Sequence, residues 1–143
     1  MDVIVQDWQW WGKYGWNAMQ FDENKYPDPG KMVRELHNMN IHLMLSVWSK
    51  IDKQSALGKQ MESKGFYIPG TDWIDFFNPD AAAFYWHNFS SKLLKPYKID
   101  AWWQDATEPE NDDLLNRRIN NGETPGEFYR NVYPLFVNKT VYE

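Results

Sequence analysis

A chain of 143 residues with a net charge of −5 and no cysteine has room for one sizeable core and excludes disulfides, thiolate nucleophiles and thiolate metal sites. Twenty acidic residues against fifteen basic ones argue against a nucleic-acid partner, and no basic cluster offsets that balance. No apolar run approaches a membrane span, so no membrane partner is expected. The opening residues lack the basic start of a signal peptide, and Met1 leading straight into a strand-like run reads as an excised segment or an unusually blunt start.

Asp2 to Asp7 (DVIVQD) is a β-branched run ending in an acid, followed by Trp8, Trp10 and Trp11; it predicts a first strand and its top loop. Lys13 to Tyr26 shows no clean period and reads as an excursion loop. Asp28 as N-cap and Pro29 at the first helical position open a helix, with Met32, Val33, Leu36 and Met39 at helical spacing up to Asn40. Ile41 to Trp48 is apolar enough to be a strand buried on both faces. The mixed stretch Ser49 to Asp75, with a short helix over Gln54 to Ser63 stopped by Gly65 and a turn at Pro69 and Gly70, is long for a connection and marks a functional loop. Asn78 and Pro79 repeat the cap-plus-proline signal for a helix that ends before Pro96. Ile99 to Asp105 is the third strand, and Asn111 to Gly122 is loop. Thr124 to Glu127 reads as a capping box for a last helix from Phe128 toward Tyr142, kinked at Pro134.

Strands alternating with helices predict right-handed crossovers and a parallel sheet. The first strand is not followed by a glycine-rich turn, which disfavours a doubly wound nucleotide binder. Asp7, Trp48 and Asp105 instead close their strands at the carboxyl end, the rim on which barrel active sites are built. The expected fold is a partial (β/α)8 TIM barrel of about three βα units over residues 1–143, because a complete barrel takes about 250 residues. Alternation puts Val3, Val5 and Asp7 on one face, and Ile99, Ala101, Trp103 and Asp105 on another shared face, so both acids project toward the barrel axis. Nine tryptophans in an aromatic content of 17% exceed what such a core needs. Aromatic surface beside a carboxylate suits a sugar, whose C–H faces rings cover while carboxylates bind its hydroxyls or attack its anomeric carbon.

Several separate stretches then match a known pattern in order: VIVQDWQWWG at 3–12, FDENKYPDPGKMVRELHNMNIHLMLSVW at 21–48, DWIDFFNPDAAAFYW at 72–86, IDAWWQDATEPE at 99–110 and NVYPLF at 131–136. The chain resembles glycoside hydrolase family 31, the retaining α-glucosidase and α-xylosidase family. The resemblance implies that Asp105 is the nucleophile, that Glu108 supports it, that Asp7 binds hydroxyls of the reacting sugar, and that Trp48 lines the same subsite. The ATEP continuation after Asp105 looks closer to α-xylosidases, including those acting on xyloglucan fragments. The implied partner is an α-linked xylosyl or glucosyl oligosaccharide, and no cofactor is called for. The family's general acid/base lies on a later strand, beyond Glu143, so the chain alone is expected to be inactive.

Simpler readings stand beside these. Trp48 and Trp103 are as suited to core packing as to a subsite wall, whereas Trp8, Trp10 and Trp11 lean toward outer subsites. His37, His42 and His87 show no metal-ligand spacing and read as structural. Glu108, Glu110, Asp112 and Asp113 lack the periodicity of a calcium loop and read as a solvated turn, so no metal is expected. Two other functions remain open: a non-catalytic carbohydrate-binding piece, and a homo-oligomer that associates through exposed sheet edges.

Overall fold

β-Branched and apolar side chains recur along three short runs. In the computed structural model, which describes residues 2–111 and 113–142, each run is a strand: β1 (Val3–Gln6), β2 (His42–Trp48) and β3 (Ala101–Asp105). The strands form one parallel sheet in the order β1-β2-β3. Helix α1 (Pro29–Asn38) leads from β1 to β2, and α2 (Ala56–Ser63) and α3 (Pro79–Phe89) lie between β2 and β3. Together they make part of an α/β barrel, as expected.

Local chemistry explains where the helices start. Asp28 Oδ1 accepts from Lys31 N at 2.8 Å, Ser55 Oγ from Gly58 N at 2.9 Å, and Asn78 Oδ1 from Asp80 N at 3.0 Å. Each bond satisfies an amide that the helix itself leaves unpaired. Proline follows the cap in α1 and α3, where its missing N–H costs nothing.

The register decides which side chains share a face. Val5, Met44 and Ala101 form one row, Ser46 and Trp103 the next, and Trp48 and Asp105 the last. The alternate set contains Leu43, Leu45 and Val47, all at most 1% exposed, with Trp102 beside Leu45. Trp102 meets Phe89 of α3 at a ring distance of 4.2 Å, so this set lies under the helices. The face that carries Trp103 and Asp105 therefore points to the barrel interior, in agreement with the alternation argument.

Three expectations fail. The second long helix does not end before Pro96: α3 continues through a π-helical stretch at Ser90–Leu94 into α4 (Lys95–Tyr97), and stops at Lys98 with φ 59°. A wider π turn removes the clash of the proline ring with the preceding carbonyl that would break an α-helix. The capping box is not formed either. Thr124 belongs to β5 (Thr124–Pro125), which pairs antiparallel with β4 (Arg118–Ile119). Gly126 N donates to Arg117 O at 2.8 Å, and a Cβ on Gly126 would come within 2.8 Å of Leu114 O. These close contacts hold the segment to the hairpin. Finally, Pro134 does not kink a continuous helix: a 3-10 stretch at Gly126–Val132 precedes α5 (Tyr133–Tyr142), and Pro134 occupies its first turn, where proline is tolerated.

The insertion between β2 and α3 is tied down by bridges from Lys50 to Trp73 and from Tyr67 to Ile74. Tyr133 of α5 is fully buried and donates to Ile74 O at 2.7 Å, fastening the chain's last helix to this insertion.

Candidate active site

Parallel strands of a barrel direct their carboxyl ends to one rim, and here that rim carries Asp7, Trp48 and Asp105. Asp105 closes β3 opposite Trp48 of β2. It is half-buried, and its Oδ1 accepts from Ala106 N at 2.8 Å. Ala106 has φ 41°, a left-handed conformation unusual for alanine, which turns the chain sharply away just after the carboxylate. Asp7 follows the Gln6–Leu45 pair by one residue; it is exposed, and its Oδ1 accepts from Trp8 N at 2.7 Å.

The tryptophans divide by burial. Trp8, Trp10, Trp11, Trp16 and Trp48 form a connected cluster with ring distances of 5.0 to 5.6 Å. Trp10 and Trp11 are 0% and 3% exposed, which corrects their assignment to outer subsites: they are core residues supporting the loop. Trp10 Nε1 also donates to Ser46 O at 2.8 Å, locking the loop after β1 onto β2. Trp48 is 4% exposed, edge-on to Trp11 and Trp16, so any ligand contact of its own is limited to a sliver of ring. Trp8 at 50% and Trp103 at 48% exposure present broad apolar faces.

Trp48 O is held by two donors, Asn17 Nδ2 at 2.6 Å and Tyr85 Oη at 2.8 Å. Burial pushes the Tyr85 hydroxyl well above its usual range, so it remains a donor at all ordinary pH values. Tyr85→Phe leaves the carbonyl one donor, and the expected cost is about 1 kcal/mol, read as a small drop in thermal midpoint with no change in secondary structure by circular dichroism.

Glu108 lies on the exposed loop after Asp105. In the acidic turn, Asp113 accepts from Trp73 Nε1 at 2.6 Å; it anchors the insertion to this loop. Asp112 lies outside the described residues.

Comparison with known proteins decides what this rim belongs to. A family model described as the glycosyl hydrolases family 31 TIM-barrel domain matches residues 1–143. The chain belongs to glycoside hydrolase family 31. An α-xylosidase of Saccharolobus solfataricus is 40% identical over all of this chain and 20% of its own length. Among solved structures, a family 31 α-xylosidase from a soil metagenome, complexed with xylose, superposes with a TM-score of 0.85 at 28% identity, over 99% of this chain and 22% of that one. The α-xylosidase of Xanthomonas citri gives 0.81 at 30% identity, over 99% and 18%. This family 31 chain thus spans about a fifth of the length of the relatives it matches.

Two features of the family 31 chain escaped the sequence reading. Asn17, buried and at φ 53°, positions the end of β2 from within a loop that shows no periodicity; an asparagine among glycine and aromatics, apt for the left-handed region, was the available signal. The second is that His37 and His42 meet on one carboxylate, Asp100. Asp100 is far from both in sequence, so no local spacing could reveal the group.

Proposed function

We propose that this chain carries the nucleophile strand of a retaining α-glycoside hydrolase acting on α-xylosides, including xyloglucan oligosaccharides, with Asp105 as the nucleophile. The observation that carries the reading is the half-buried carboxylate of Asp105 at the inward-facing rim of β3, two residues from the exposed ring of Trp103. The 40% identity to an α-xylosidase over the whole chain supports the choice of sugar.

In this mechanism Asp105 attacks the anomeric carbon while a second carboxylic acid protonates the departing oxygen, and water then releases the sugar from the covalent intermediate. Retention requires the two carboxyl groups to stand about 5 to 5.5 Å apart on opposite faces of the sugar. Glu108 follows the nucleophile on the same loop, so its role is to support the site from beside it. The acid/base belongs to a barrel unit outside these 143 residues. Asp7 binds sugar hydroxyls, Trp8 and Trp103 offer rings to the C–H faces, and Trp48 mainly backs the aromatic wall.

Assays on aryl α-xylosides and aryl α-glucosides test this reading. The complete barrel containing this segment is expected to release xylose in preference to glucose, and the 143-residue chain to release neither. Xylose release by the chain alone, lost in Asp105→Asn, would contradict the assignment of the acid/base elsewhere.

A self-associating segment is the second reading. It is favoured by the outer edges of β1 and β3, which pair with no further strand among the described residues, and by the exposure of Val3 and Val5, 40% and 41%. Sedimentation showing a stable monomer counts against it.

A further inference from the structure

At the end of the sheet opposite the rim, three side chains from three parts of the fold converge. His37 lies in the last turn of α1, His42 opens β2, and Asp100 directly precedes β3. His37 Nε2 is 2.8 Å from Asp100 Oδ2, and His42 Nδ1 is 3.1 Å from Asp100 Oδ1. One ligand atom from each residue lies within 4.8 Å of the others. We propose that His37, His42 and Asp100 form a surface site for a divalent transition-metal ion of the zinc class, separate from the glycosidase rim.

The donor set suits that class, since imidazole nitrogen and carboxylate oxygen bind zinc at about 2.0 to 2.2 Å. A tetrahedral centre with such bonds separates its ligand atoms by about 3.3 Å. The nitrogens of His37 and His42 lie 2.8 and 3.1 Å from different oxygens of Asp100, so each is already near that spacing from its own oxygen. What remains is a modest approach of the two imidazoles, whose ring centres are 6.3 Å apart. The His42 side chain is 62% exposed and can swing to make it.

The carboxylate is fixed in advance. Asp100 N donates to Leu43 O at 3.1 Å and Asp100 Oδ2 accepts from Leu43 N at 2.9 Å, so β2 grips the residue through both backbone and side chain. Partial burial opposes ionisation of Asp100, but the Leu43 amide and the two imidazoles outweigh it and hold the carboxyl below its ordinary range. Outer partners of this kind fix ligand orientation and typically raise metal affinity. The ion takes the place of the protons that the imidazoles direct at the carboxylate, and solvent completes its coordination. Binding links the end of α1 to the starts of β2 and β3.

Isothermal titration of Zn2+ into the chelator-treated 143-residue chain tests the site. The expected result is one bound equivalent, with a thermal midpoint raised by several degrees at saturation and returned by chelator. Asp100→Asn keeps an acceptor for Leu43 N but loses the anion, and His42→Gln changes an exposed side chain; each should weaken binding about tenfold or more. Asp105→Asn should leave it unchanged, which separates this site from the rim. Absence of saturable binding, or equal binding by the parent chain and both site variants, overturns the proposal. If circular dichroism shows that Asp100→Asn has unfolded, the His42→Gln result decides alone.

Discussion

On the role proposed for Asp105, its replacement by asparagine in a complete barrel containing this segment is expected to lower kcat by about ten-thousandfold or more, the scale on which enzymes lose rate with their nucleophile. Such a loss corresponds to about 5.5 kcal/mol of barrel-bound transition-state stabilisation. The amide matches the carboxylate in size, and its oxygen can still accept from Ala106 N, the bond that Asp105 Oδ1 makes at 2.8 Å. Folding should therefore be untouched, and an unchanged thermal midpoint is part of the expected result. What disappears, in the proposed mechanism, is the carboxylate lone pair that attacks the anomeric carbon. In Asp105→Gly, which opens the space that asparagine still fills, a small anion such as azide should restore turnover and yield a glycosyl azide of inverted anomeric configuration. A variant that retains most of its rate removes Asp105 from the nucleophile role, whatever happens to its stability.

The second large effect is on stability. Trp10→Ala is expected to cost about 3 to 5 kcal/mol, the range for emptying a buried tryptophan position. Trp10 is 0% exposed, and its ring packs against Trp11 at 5.4 Å and Phe21 at 5.0 Å. The substitution also removes the Trp10 Nε1 bond to Ser46 O, 2.8 Å long, so the loop after β1 loses its tie to β2. Denaturant unfolding of the purified protein checks this as a lower midpoint. The effect should spread to the rim, because the loop held by Trp10 also carries Trp8 and Trp16, which contact each other at 5.6 Å. Trp8→Ala, at a 50% exposed position, should by contrast cost little stability, and its effect should fall on KM for an oligosaccharide.

These two predictions draw on different parts of the sequence. Asp105 could be singled out because strand parity is a local property: counting by twos from Ala101 puts Trp103 and Asp105 on one face, and the parallel register then aligns that face with Ser46 and Trp48. The helix starts at Pro29 and Pro79 were equally legible, since a cap bonds to an amide only two or three residues away. Burial of Trp10 and Trp11 was not, because a tryptophan in a loop has the same local signature whether it faces a sugar or a core. Which of the two it does depends on Phe21, Ser46 and Trp48, distant in the chain.

The last helix shows the same division. Thr124 and Glu127 have the spacing of a capping box, yet Gly126 N bonds to Arg117 O at 2.8 Å, and that pairing gives Thr124 to a two-stranded hairpin. A local preference worth about 1 kcal/mol yields to a hairpin packed on its neighbours.

By itself, then, the sequence determined the family, the parallel strand–helix order and the strand-end acids, because motif order, capping and alternation all act over a few residues. Tertiary structure alone decided which tryptophans remain open at the rim and which are core, and that His37 and His42 converge on Asp100. Those outcomes depend on contacts between residues far apart in the chain, and no local pattern encodes them.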